Sequence, residues 1–196
     1  MLKTSLHVTI SLYETRGAIA LRKCLIVVDM QRDFIDGALG FEQAFDVIEP
    51  IKEKILIARE EGIEVIFTQD THHENYLNTE EGKNLPVEHC VEGHVGHEIY
   101  PEIQPLIRTS DKIFKKPTFP SLELGNYLKN QAFEEVELCG LVSNICVLSN
   151  AVIVKAALDN AHIIVDQNAT RSFDESLHEA SLDVMEGLHI EIKNRS

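Results

Sequence analysis

No tryptophan occurs in this chain of 196 residues, and no apolar run approaches the roughly 18 to 20 residues that a membrane-spanning helix needs. A membrane partner is therefore not expected. Positive charge is also scarce. The 18 lysines and arginines are outnumbered by 32 aspartates and glutamates, and the formal net charge of -14 repels polyanions. That leaves no basic stripe for nucleic acid. Cysteines are few: the four at positions 24, 90, 139 and 146 are too scattered for a disulfide scaffold. A reducing, cytoplasmic setting is the simplest expectation. Residues 1–22 lack the unbroken apolar segment of a secretory signal. They are read as an N-terminal extension whose role is open: an extra strand, an oligomer arm or the product of an upstream start codon.

What is present fits one compact domain, taken as residues 23–196, with enough apolar content to bury a core. From residue 24 short β-branched runs alternate with helical patterns, as a parallel sheet with crossover helices demands. The expected strands are 24–30, 63–69, 111–115, 135–140, 162–167 and a weak 189–193. Helices are expected at 46–61, 98–109, 121–131, 144–160 and 174–187. The fold class is α/β, a three-layer αβα arrangement with a mostly parallel sheet of five or six strands. One connection breaks the rhythm. Residues 70–97 form a polar, His- and Gly-rich stretch, well beyond the roughly 12 to 15 residues at which loops become functional or disordered. It leaves the carboxyl end of a strand, where open α/β sheets bind ligands.

Three residues at strand exits have complementary chemistry. Asp29 ends the strand in LIVVDMQRDF, Lys116 follows a strand in IFKKPTFPS, and Cys146 lies at the start of a helix in LCGLVSNICVLSNAV. Singly, each has an ordinary reading: Asp29 as a turn former, Lys116 as a solvated terminus, Cys146 as a small buried hydrophobe. A cysteine at a helix N-terminus, however, faces free backbone N–H groups that favour thiolate. Together the three supply a nucleophile, a proton carrier and a cation, which is what amide hydrolysis requires.

The long loop adds Asp70 and His72 in TQDTHH and His89 in LPVEHCVEG. Asp and His two apart at a strand exit project to one side, and a third ligand from the far end of the loop closes a site with water positions left open. A divalent metal is the expected cofactor, zinc first, with iron or manganese as alternatives. The competing reading is a polar loop that happens to be His-rich, since His73, His94 and His97 also lie there.

The pattern of Asp after a first strand, Lys before Pro-Thr-Phe, and a glycine six residues before a helix-opening Cys resembles the isochorismatase-like cysteine hydrolases. Asp-x-His followed by His-Cys-Val-x-Gly resembles their nicotinamidase/pyrazinamidase branch. The resemblance runs from about residue 23 to 190. It implies a catalytic triad of Asp29, Lys116 and Cys146, and metal ligands Asp70, His72 and His89. It further implies a cis bond at Leu141–Val142 and an oxyanion hole from the backbone N–H groups of Val142 and Cys146. Phe34 and Gln31 match pocket positions. Close nicotinamidases place a tryptophan before His-Cys-Val to stack on the pyridine ring, whereas this chain has Leu85-Pro86 there. His73 or His94 is the candidate substitute.

The resulting expectation is a cysteine amidase that converts nicotinamide, or a close analogue, to the acid and ammonia through a thioester. The partners expected are a small amide substrate and further copies of the chain in a homo-oligomer. An N-carbamoyl or ureido substrate is the alternative with the same triad. Vinyl ether hydrolysis is disfavoured, because the enzymes that perform it do not use a cysteine nucleophile. A metal-carrying binding module is the non-enzyme alternative.

Overall fold

The computed structural model describes residues 21–195; the expectation for residues 1–22 lies outside these apart from Leu21 and Arg22. Six strands form one sheet: β1 (Lys23–Val28), β2 (Glu64–Asp70), β3 (Lys112–Lys116), β4 (Glu135–Leu141), β5 (His162–Arg171) and β6 (Glu191–Lys193). Their order is β3-β2-β1-β4-β5-β6, and every neighbouring pair is parallel. Central strands of such a sheet are covered on both faces, so their apolar runs are continuous rather than alternating. In β1, Cys24, Ile26 and Val28 face one core, while Leu25 and Val27 face the other.

The helices are α1 (Arg32–Ile35), α2 (Ile48–Glu60), α3 (Glu80–Asn84), α4 (Leu122–Leu128), α5 (Leu148–Ala157) and α6 (Glu175–Gly187). Side-chain caps start three of them. The Thr79, Ser121 and Asp174 side chains accept from the backbone N–H of Gly82, Leu124 and Leu177. The helix expected at 98–109 does not form; only a 3-10 turn spans Gln104–Leu106. Pro101 and Pro105 cannot donate to a helical ladder, and the buried pair Ile99 and Ile103 imitates a helical period. Conversely, the loop 70–97 contains α3 and two 3-10 turns, Tyr76–Asn78 and Val95–His97.

The sheet order reverses between β1 and β4, and ligands of open α/β sheets bind at the carboxyl ends of such a switch point. One glycine makes this junction tight. Gly140 has φ +118°, and a Cβ there would lie 2.0 Å from the carbonyl oxygen of Val28. Only glycine combines that conformation with that approach. No helix among the described residues is long and apolar enough to cross a membrane.

Candidate active site

Four side chains leave the carboxyl ends of four adjacent strands and meet at the switch point. Asp29 follows β1 with φ +48°, a backbone conformation uncommon for a residue with a side chain. Asp70 ends β2, Lys116 ends β3, and Cys146 lies in the π-helical turn Ser143–Val147 that follows β4. Lys116 Nζ sits among the other three: 2.7 Å from Asp29 Oδ2, 3.1 Å from Asp70 Oδ1 and 3.5 Å from Cys146 Sγ. It also donates to the Thr118 carbonyl at 3.2 Å. All four side chains are buried.

Burial without partners would be prohibitive for these charges, so their mutual arrangement decides their state. Burial opposes the Lys116 ammonium, but Asp29, Cys146 and Asp70 outweigh it and hold the pKa well above the ordinary lysine value. For Asp29, burial raises the pKa more than Lys116 lowers it. Thr68 Oγ1 donates to Asp29 Oδ1 at 2.7 Å, while Oδ2, though 2.7 Å from Lys116, is off the line of a good hydrogen bond. Cys146 differs from the sequence expectation. Burial pushes its thiol well up, more than the Lys116 ammonium pulls it down, and the Asp29 and Asp70 charges add to the rise. Burial thus favours the neutral thiol over the thiolate at this position. The Leu141–Val142 peptide is cis, and the Val142 carbonyl accepts from Ile145 and Val147 N–H.

Asp70 turns its second oxygen toward the long loop. His72 Nε2 lies 3.1 Å from Asp70 Oδ2 and His89 Nε2 3.6 Å from the same atom. Glu81 Oε1 completes the group, 3.4 Å from His72 Nε2 and 3.7 Å from His89 Nε2. The four donor atoms lie within 4.8 Å of one another. His89 Nδ1 donates to the Val87 carbonyl at 2.8 Å, which leaves Nε2 free to bind as a lone pair. His72 Nε2 and Glu81 Oε2 are buried without a hydrogen-bond partner. Burial disfavours a charged His72, yet Asp70 and Glu81 draw it up to about 9, a sign of how strongly this cluster attracts positive charge. Two imidazoles, two carboxylates and orphaned buried atoms fit zinc, iron or manganese.

Next to the two groups lies a cavity of about 270 Å³, lined by Cys146, Val142, His89, Glu81 and Asp70 together with apolar side chains. Phe34 is one of its walls and meets His89 edge-on at 5.8 Å. Gln31 is not. It is fully buried, donating to the Asp70 and His97 carbonyls and accepting from Asp70 N–H, so it fixes the end of β2. His73 and His94 are exposed and do not line the cavity. Phe119 and Phe173 line it instead, with Leu85 and Leu39.

Two residues of the site escaped sequence reasoning. Glu81 stands among acidic and polar neighbours that read as surface, and only the Thr79 cap signals a helix there. Asn150 is fully buried in α5. Its amide donates to the Cys146 carbonyl at 2.8 Å and the Phe119 carbonyl at 3.1 Å, and accepts from Ser121 N–H at 2.9 Å. A lone Asn on the apolar face of a helix was the available signal.

Residues 23–192 match the family described as Isochorismatase domain. Nicotinamidase 3 of Arabidopsis thaliana is 27% identical over 175 residues, covering 87% of this chain and 84% of the relative. Among solved structures, the pyrazinamidase of Pyrococcus horikoshii in complex with zinc superposes with a TM-score of 0.76 at 26% identity, covering 87% of this chain and 98% of that one. N-carbamoylsarcosine amidase from Thermoplasma acidophilum superposes at 0.74 and 25% identity, covering 88% and 96%.

Proposed function

This chain belongs to the isochorismatase-domain family, and from that membership we propose that it hydrolyses a small carboxamide, nicotinamide or a close analogue, to the acid and ammonia. The observation that carries the reading is the buried ammonium of Lys116 touching Asp29, Asp70 and Cys146, the last two of which line a cavity with largely apolar walls.

The Asp29 carboxylate takes the thiol proton as Cys146 Sγ attacks the carboxamide carbon. Lys116 stays charged throughout, offsetting the negative charge as it passes from Asp29 to sulfur. Backbone N–H groups of Val142 and Cys146 receive the oxyanion. Protonated Asp29 then gives its proton to the departing nitrogen, the C–N bond breaks, and a thioester and ammonia result. Water, deprotonated by Asp29, attacks the thioester; the acid leaves and the thiol is restored. Asp70, His72, Glu81 and His89 would hold a divalent metal, which when bound offers the substrate ring nitrogen a Lewis-acid anchor, directly or through water.

Among the described residues, those lining the cavity include no arginine or lysine. Asp70 and Glu81, which line the cavity, balance the charge of a bound divalent cation and leave no surplus positive charge there for the carboxylate of an N-carbamoyl amino acid, which favours the neutral carboxamide over the ureido alternative. The test is ammonia release from nicotinamide, pyrazinamide, benzamide and an N-carbamoyl amino acid. Turnover of the aromatic amides, absent in Cys146→Ala, is expected; turnover of the N-carbamoyl compound alone would overturn the substrate reading.

A further inference from the structure

Asp29 and Gln31 at the exit of β1 and Asp33 in α1 each take hold of a different part of the site. Asp29 meets Lys116, and Gln31 binds the backbone N–H and carbonyl of Asp70. Asp33 reaches the far end of the long loop. Its Oδ2 accepts from Cys90 N–H at 2.7 Å, and its Oδ1 accepts from Ala38 N–H at 3.0 Å. Cys90 directly follows His89 and has φ +48°, so this bond secures a backbone conformation that side-chain-bearing residues rarely adopt. His89 Nδ1 is already tied to the Val87 carbonyl, which sets the ring; the Asp33 bond sets the chain that carries it.

Gly96 packs against the same carboxylate. A Cβ at this position would lie 2.0 Å from Asp33 Oδ2 and 2.3 Å from Oδ1. Gly96 is not among the glycines with positive φ, so backbone freedom does not explain it. Nor can its turn readily retreat, because the next carbonyl, that of His97, accepts from both Gln31 Nε2 and Gln69 Nε2 at 2.9 Å. The missing side chain at 96 is the space the Asp33 carboxylate occupies.

We propose that Asp33 is a positioning residue for the metal site: by holding Cys90 N–H it fixes the backbone carrying His89, and thereby sets the affinity for a divalent cation. The inference rests on the reading of Asp70, His72, Glu81 and His89 as ligands, and it concerns cation binding, not the hydrolytic step. Partners one layer out from metal ligands commonly account for roughly 10- to 100-fold in affinity.

Zinc affinity of the full chain, measured by competition with a chromophoric chelator, tests this in Asp33→Ala, Asp33→Asn and Gly96→Ala. Asp33→Ala is expected to bind zinc about 10- to 100-fold more weakly. Asp33→Asn falls between it and the parent, because one amide oxygen can serve Cys90 or Ala38 but not both. Gly96→Ala weakens zinc binding although the carboxylate remains, and it decides the matter if Asp33→Ala does not fold. Ammonia release at limiting zinc drops in the variants and returns with excess zinc, which a general loss of structure would not allow. Unchanged zinc affinity in Gly96→Ala and Asp33→Asn overturns the proposal, as does a parent protein that takes up no zinc. Weakened zinc binding in a protein that hydrolyses no amide supports the role of Asp33 and overturns the proposed hydrolysis instead.

Discussion

Lys116 Nζ and Asp29 Oδ2 stand 2.7 Å apart with both side chains almost wholly removed from water, although they leave strands that are not neighbours in the sheet. β2 lies between them and contributes Asp70 to the same ammonium. Removing one member of such a group leaves uncompensated buried charge, which typically costs about 3 to 5 kcal/mol. Lys116→Met is therefore expected to lower the melting temperature as well as the rate.

The pair also sets a pH dependence. Asp29 accepts the thiol proton only as a carboxylate, and burial raises its pKa more than Lys116 lowers it. Thus kcat/KM falls as pH drops through that raised value, and the acid limb lies above the ordinary aspartate value of about 3.9. In Lys116→Met the limb moves to higher pH, because the opposing pull is gone. A limb that stays in place in a pH–rate profile would remove Lys116 from this role.

Cys146→Ala tests the nucleophile. Deleting the nucleophile of a hydrolase costs on the order of a million-fold in turnover, so ammonia release falls below detection. In the parent protein, acid quenching during turnover followed by intact-mass measurement should show an acyl adduct on Cys146. Undiminished release from the alanine variant would end the covalent mechanism.

Much of this was readable in the chain and some was not. The strands showed because buried parallel strands are continuous β-branched runs, as in LIVV of β1. Asp29 stood out because it directly follows that run, whereas Lys116 ends the largely exposed KIFKK of β3 and Cys146 lies in the turn beyond β4, so both stood out through the short motifs around them. Glu81 did not, since only the fold of α3 brings that carboxylate to His72 and His89. Gln31 was misread as a pocket wall for a related reason: sequence places it beside Phe34 but does not reveal which way it turns. The thiol of Cys146 was expected to be lowered by the helix start, and burial reverses the sign.

Metal loading gives a stability readout. A ligand that binds only the folded chain stabilises it by about 2.7 kcal/mol at a hundredfold excess over its Kd. For a chain of this size that is a rise in Tm of roughly 5 to 10 °C, reversed by a strong chelator. His72→Ala should abolish the rise. A parent protein whose Tm ignores both zinc and chelator would speak against a bound metal.

Leu85→Trp probes the aromatic wall. Leu85 lines the cavity, and stacking contributes about 0.5 to 1.5 kcal/mol beyond buried area. KM for nicotinamide is expected to fall roughly 2- to 12-fold with kcat nearly unchanged. A KM that rises would show that Phe119 and Phe173 already fill that space.

The bond-breaking groups stand at strand ends or, for Cys146, on the helical turn after β4, whereas Leu85, Phe119 and Phe173 stand on the connections between elements. Such connections accept substitution and changes of length far more readily than a sheet does. A lineage built on this frame can therefore acquire a new diet by editing a few exposed positions, while the apparatus that cuts the bond is inherited intact.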